Sequence, residues 1–171
     1  MILSKSQILE YVKNGFLVQN MIDPAVQIQQ AGIDLTIGKI FRLSGQGIID
    51  FSNEKRRLPE YEEIKPKNGK WILPRGTYNA TMNEFITLPN NIVALVFPRS
   101  SALVCGIEVH TAVWDPGYRG RGVLHLNVQR DVTIYQNARI VQMIFMKTQP
   151  TEEYNGAYKN EDLLKTGRRG R

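Results

Sequence analysis

The chain has 171 residues, with 22 Lys and Arg against 16 Asp and Glu for a formal charge of +6, and is 42% hydrophobic and 22% charged. That is one domain's worth of polypeptide with globular composition, which excludes a disordered, collagen-like or coiled-coil chain. No apolar run approaches the roughly 18 residues of a membrane span, the opening residues lack a secretory pattern, and the lone Cys105 rules out an intrachain disulfide or a two-thiolate zinc site. The expectation is a soluble, basic, cytoplasmic protein.

The first predicted element is a helix over about residues 4–15. Ser4 followed by Gln7 reads as a capping box, Ile8, Leu9 and Val12 make a narrow apolar stripe, and Gly15 is a natural stop. The texture then changes to short segments rich in Val, Ile, Phe, Tyr and Thr, separated by Gly, Pro, Asn and Asp. Predicted strands are Ile33–Ile37, Ile40–Leu43, Trp71–Leu73, Thr77–Thr81, Ile92–Phe97, Gly106–His110, Val123–Gln129, Val132–Tyr135 and Ile140–Met146. Many short strands with turn punctuation indicate a sandwich or barrel rather than βαβ units. Leu124, Leu126 and Val128 alternate with His125, Asn127 and Gln129, the period of a strand with one buried face. The Ile92–Phe97 and Val141–Met146 runs are apolar on both faces and are expected inside a sheet or against another subunit. Asn53–Asn68, charged and with two prolines, reads as an exposed insertion. The domain is therefore placed at 1–150, followed by a mobile tail over 151–171.

Five clusters could carry chemistry. Ala31-Gly-Ile-Asp-Leu35 is, by itself, a common turn before a strand. Pro98-Arg-Ser-Ser101 offers a guanidinium fork and two hydroxyls, which suit phosphate oxygens as well as they suit a polar capping loop. Its place at the end of a buried strand favours a ligand platform. Thr111-Ala-Val-Trp-Asp-Pro-Gly-Tyr-Arg-Gly-Arg-Gly122 contains strong turn chemistry, which alone accounts for Asp115. It also gathers a carboxylate, aromatic faces and two arginines, which serve equally as surface charges or subunit contacts. Arg139 and Gln142 interrupt an apolar strand, and each needs a partner, since a polar group buried without one costs roughly 1–3 kcal/mol. Asp34 is the structural partner offered for Arg139, while Gln142 is open between a structural contact and a phosphate. The basic end, Arg168-Arg-Gly-Arg171, reads as solvated charge or a weak nucleic-acid arm. No Walker-type loop, G-x-G-x-x-G or H-E-x-x-H motif is present, and His110 and His125 are too few for most histidine metal sites.

Taken in order, these clusters resemble the motifs of the superfamily joining trimeric dUTP pyrophosphatases (dUTPases) and dCTP deaminases. Ala31-Gly-Ile-Asp-Leu35, Pro98-Arg-Ser-Ser101, Trp114-Asp-Pro-Gly-Tyr-Arg-Gly120 and Arg139-Ile-Val-Gln-Met143 look like its first four motifs, and the resemblance spans nearly the whole chain. The opening Met1-Ile-Leu-Ser and the His110-Thr-Ala112 segment are similar to the deaminase branch. Deaminases of this family carry a Glu just past the Asp-Pro-Gly turn. Here the matching stretch is Val123-Leu-His-Leu126, with His125 in that place and no carboxylate between Asp115 and Asp131. Ring deamination needs a group that takes a proton from water and returns it to nitrogen, so this departure favours the pyrophosphatase branch. A zinc-dependent deaminase would need more cysteines than the chain has.

The resemblance implies an all-β, distorted jelly-roll barrel with a short N-terminal helix, assembled as a homotrimer with active sites between subunits. The implied reaction is dUTP hydrolysis to dUMP and pyrophosphate with Mg²⁺, which binds through substrate phosphates and water and not through protein ligands. Asp115 would activate the attacking water. Arg99, Ser100, Ser101 and Gln142 would hold phosphates, Tyr118 would pack on deoxyribose, and the backbone around His110, Thr111 and Ala112 would read uracil. Asp34 and Arg139 would be structural supports, and Tyr158, Arg168 and Arg169 candidate lid residues. The tail lacks the Phe of the usual dUTPase lid and Tyr154-Asn-Gly-Ala-Tyr158 looks more like the deaminase tail. The alternatives are a dCTP deaminase, bifunctional or not, and, more distantly, a basic nucleic-acid-binding β-protein. Against the last, the aromatics do not line up with Lys and Arg along one strand face.

Overall fold

The Ser4 amide donates to Gln7 Oε1 at 3.0 Å, Ile8 is buried, and the helix ends just before Gly15, so the N-terminal signals do what the sequence predicts. A computed structural model describes residues 1–166. Its elements are α1 (Lys5–Lys13), β1 (Leu17–Gln19), α2 (Pro24–Gln27), β2 (Ile33–Ser44), β3 (Glu60–Ile64), β4 (Lys70–Leu73), β5 (Gly76–Met82), β6 (Phe85–Thr87) and β7 (Ile92–Pro98). There follow α3 (Ser100–Val104), β8 (Ile107–His110), β9 (Arg119–Arg121), β10 (Leu124–Val128), β11 (Val132–Tyr135), β12 (Arg139–Lys147), β13 (Glu161–Asp162) and α4 (Leu163–Thr166).

The largest sheet runs β7-β12-β2-β5-β10-β8, with β3 added alongside β2. It curls into a nearly closed barrel because β2 changes partners along its length. Residues up to Thr36 pair with β12, Ile37 to Phe41 with β5, and Ile40 to Ser44 with β3. A register shift between Ile37 and Lys39 marks the bend at Gly38. A second sheet, β1-β6-β9-β13, and the β4–β11 pair complete the fold. The expected all-β class holds. Leu124, Leu126 and Val128 enter the core with Tyr78, Ala80, Ile107 and Val109, while His125 and Asn127 lie half-buried on the other face. β12 is interior as expected, whereas β7 ends the sheet order and leaves Phe97 exposed.

Three sequence expectations are corrected. Ile33–Ile37 and Ile40–Leu43 are one bulged strand, because Gly38 bends the chain without ending its pairing. Asn53–Asn68 is only partly an insertion, since Glu60–Ile64 pairs with Ile40–Ser44. The 151–166 segment packs on the domain: the Thr151, Tyr154 and Asn160 amides donate to the carbonyls of Asn90, Pro116 and Arg119. Leu163 is fully buried, and β13 adds in parallel to β9. Arg168 and Arg169 lie outside the described residues.

Candidate active site

The site is built on the outward row of the barrel sheet. His110 on β8, His125 on β10, Asn79 on β5 and Phe41 on β2 are successive cross-strand partners, so their side chains share one face. Over this row folds the 111–123 connection. Trp114 is fixed by reciprocal backbone bonds with Ala94 at 3.0 and 3.1 Å. The chain then turns through Asp115-Pro-Gly, closed by the Tyr118 amide donating to the Asp115 carbonyl at 3.0 Å. Gly117 has φ +77°, and a Cβ there would meet Glu153 Cβ at 2.6 Å, so both the turn and the passing tail require glycine.

Between floor and turn lies a cavity of about 450 Å³, lined among others by His110, Thr111, Ala112, Asp115, Tyr118 and His125. Tyr118 packs edge-on against Trp114, with centroids 5.0 Å apart, and meets Tyr154 at 5.8 Å. Tyr154 and Tyr158 bring the tail to the cavity wall. Gly122 lets the wall close up, since a Cβ there would sit 2.7 Å from Trp114 Cη2. Asp115 is exposed at the hairpin tip and, among the described residues, is the one acidic residue lining the space.

A second cluster lies at the β7–β12–β2 side. Asp34, 1% exposed, receives Arg99 Nε at 3.0 Å and Arg139 Nη1 at 3.1 Å on Oδ2, and Gln142 Nε2 at 3.3 Å on Oδ1. Burial pushes the Asp34 carboxyl above its usual range, and the neighbouring Arg99 and Arg139 oppose that rise without cancelling it. Arg99 Nη1 also donates to the Arg139 carbonyl at 3.1 Å. Ser100 and Ser101 stand exposed at the start of α3 rather than in an irregular loop.

The residues singled out from the sequence therefore fall into two groups. His110, Thr111, Ala112, Asp115, Tyr118 and Tyr158 line one cavity; Arg99, Ser100, Ser101 and Gln142 do not line it. Arg99 and Gln142 bond Asp34 instead, and Ser100 and Ser101 follow Arg99 in α3. Sequence reasoning missed Asn79, whose only signal is its outward parity between the inward Tyr78 and Ala80. Arg121, read as surface charge or a subunit contact, is instead buried against Asp162, with Nη1 2.6 Å from Oδ2. Among the described residues no group of three or more His, Cys, Asp or Glu side chains is arranged to hold a metal ion, and no helix is long and apolar enough to cross a membrane.

The model of the dCTP deaminase-like family matches residues 2–148, and the chain belongs to that family. Within it, the chain is 45% identical over 136 residues to the deoxyuridine 5′-triphosphate nucleotidohydrolase of Methanocaldococcus jannaschii, covering 78% of this chain and 87% of that protein. It is 40% identical over 166 residues to the probable deoxyuridine 5′-triphosphate nucleotidohydrolase of Archaeoglobus fulgidus, covering 95% and 98%. The fold is similar to the crystal structure of 2′-deoxycytidine 5′-triphosphate deaminase from Agrobacterium tumefaciens, with a TM-score of 0.66 at 21% identity over 84% of this chain and 47% of that one.

Proposed function

We propose that this chain hydrolyses dUTP to dUMP and pyrophosphate in the cytoplasm, as a homotrimer whose active sites lie between subunits. The observation that carries the reading is the position of Asp115, among the described residues the one carboxylate lining a cavity whose other walls include Trp114, Tyr118, His110, His125 and Asn79. The substrate assignment draws on the relatives named above. Asp115 takes a proton from a water whose oxygen bonds to the α-phosphorus, and the α-phosphorus–oxygen bond to the β-phosphate breaks to release pyrophosphate. General-base help of this kind is worth roughly 10²–10⁴-fold, so charge stabilisation has to supply more. Arg99, Ser100, Ser101 and Gln142 supply it from the neighbouring subunit; their separation from the Asp115 cavity within one chain supports a shared site.

One carboxylate at the cavity and no three-ligand cluster among the described residues suit Mg²⁺, which keeps several waters and binds mainly through substrate phosphates. When bound, it neutralises developing charge on the triphosphate oxygens. Tyr118, 7% exposed and pinned between Trp114 and Tyr154, packs on the deoxyribose and leaves no room for a 2′-hydroxyl. Backbone groups of residues 110–112 meet the uracil edge. Tyr154 and Tyr158, which line the cavity, belong to a segment that covers bound nucleotide.

The test is to incubate the protein with Mg²⁺ and either dUTP or dCTP, measuring pyrophosphate and ammonia. Pyrophosphate from dUTP alone is expected. Asp115→Asn should abolish turnover yet bind a non-hydrolysable dUTP analogue nearly as the parent does. Retained turnover in that variant overturns the mechanism, and ammonia from dCTP would assign the deaminase reaction instead.

A further inference from the structure

The floor of the cavity contains a polar relay that the hydrolytic step does not use. His125 Nδ1 lies 2.9 Å from Asn79 Oδ1, and the Asn79 amide nitrogen donates to the Tyr61 hydroxyl at 2.9 Å. Asn79 is buried, 6% exposed, and its carboxamide presents nitrogen to Tyr61 and oxygen to His125. A carboxamide oxygen only accepts hydrogen bonds, and in this arrangement Nδ1 carries the proton. In a neutral imidazole a proton on one nitrogen leaves a lone pair on the other. Nε2 is thus an acceptor, on a ring that lines the cavity.

We infer that His125 Nε2 selects the base, accepting a hydrogen bond from N3–H of uracil, and that Asn79 is the positioning residue that fixes the required tautomer. The two pyrimidines differ at this atom. Uracil N3 bears a hydrogen, while cytosine N3 bears a lone pair. Cytosine in the same pose sets lone pair against lone pair and leaves two acceptors without donors, a loss that desolvation makes larger than the gain from one ordinary bond. The backbone of residues 110–112 offers contacts to either base; the imidazole discriminates. The cross-strand register makes this possible, because His125 faces Asn79 directly on β5 and Tyr61 anchors the amide from β3.

The inference rests on the dUTP reading for the identity of the base, and the test separates the two. Binding of dUMP and dCMP to the intact protein is measured by calorimetry for the parent, His125→Gln, Asn79→Asp and Asn79→Ala, alongside pyrophosphate release from dUTP. The parent should bind dUMP at least about tenfold more tightly than dCMP. His125→Gln, whose amide presents either oxygen or nitrogen, should bring the two within about threefold of each other. Asn79→Asp still accepts from Nδ1–H and should keep the preference, whereas Asn79→Ala frees the tautomer and should lower it. Asn79→Ala decides the matter should His125→Gln fail to fold. An undiminished preference in His125→Gln, or in Asn79→Ala where that variant decides, overturns the inference, as does a parent with no preference. A parent that prefers dUMP but releases no pyrophosphate from dUTP overturns only the hydrolase reading.

Discussion

Arg121→Met removes the cation that ties the end of the chain to the barrel. Arg121 Nη1 lies 2.6 Å from Asp162 Oδ2, its Nε donates to the Asn83 carbonyl at 3.0 Å, and its guanidinium sits 5.3 Å over the Phe85 ring. The two charged side chains are 10% and 13% exposed. Asp162 Oδ1 is buried with no hydrogen-bond partner among the described residues. Without Arg121 the carboxylate keeps, among the described residues, only Lys165, 3.8 Å away and largely in solvent. Leaving one member of a buried pair in place costs about 3–5 kcal/mol. The alternative is to swing Asp162 into water, which unpairs β13 and uncovers Leu163, forfeiting about 1.5–3 kcal/mol of apolar burial. The cheaper route wins, so the loss is local and close to 2–3 kcal/mol, or roughly 30- to 150-fold in opening equilibrium. Hydrogen exchange on peptides from 156–166 should speed up by about that factor, with protection in β2, β5 and β12 unchanged. Asp162→Asn should give a similar effect, and the double variant should add little to either. Unchanged exchange in this segment, or an equal loss of protection in the barrel strands, would refute the reasoning that it opens as a separate unit held by this pair.

Two further outcomes follow from the same geometry. Tyr118→Ala should raise kcat/KM for UTP relative to dUTP by opening the space beside Trp114; an unchanged ratio in competition kinetics removes Tyr118 from sugar selection. Burial pushes the Glu63 carboxyl up, but Lys65 at 2.7 Å and Lys39 at 3.2 Å outweigh it and hold the group below its usual value. The folded state then binds that proton less tightly than the unfolded chain, so the contribution is present above the ordinary Glu value and disappears as pH falls through the folded one. Glu63→Gln should destabilise by less than about 1 kcal/mol near pH 7, since the group is partly exposed. The gap should narrow as pH falls below the ordinary Glu value and through the folded one, read by urea unfolding at neutral and acid pH.

How far the sequence carries depends on what each residue needs from distant chain. Period-2 alternation over Leu124–Val128 gives the buried face of β10 directly, because the inward residues are apolar and the outward ones polar. Ser4 and Gln7 mark the helix start, since capping is decided within one turn. The second sheet is not legible: β1, β6, β9 and β13 are two or three residues long and exist only because each finds a partner. Glu60–Ile64 reads as charged insertion because Glu60, Glu62 and Glu63 place carboxylates on both faces of the strand and hide the pairing with β2. The site motifs were visible as clusters, yet the Asn79–His125 contact joins residues 46 apart through register alone. No local pattern encodes that.

Asp34 shows how the proposed shared site can be prepared before its other half arrives. Because burial raises its carboxyl, the folded state holds that proton more tightly than the unfolded chain. Its contribution is greatest below the ordinary Asp value of 3.8 and is lost as pH rises through the folded one. At neutral pH that contribution is gone, and what the carboxylate secures is order: Arg99 Nε, Arg139 Nη1 and Gln142 Nε2 all converge on it. Arg99 spends one N–H on Asp34 and one on the Arg139 carbonyl. A guanidinium has five, so three remain for a phosphate. With the side chain already immobilised, capturing a phosphate loses little further rotamer freedom. Under the proposed function, Arg99 can thus serve a triphosphate held in a neighbouring subunit's cavity without releasing Asp34, which a site divided between two chains requires of each half.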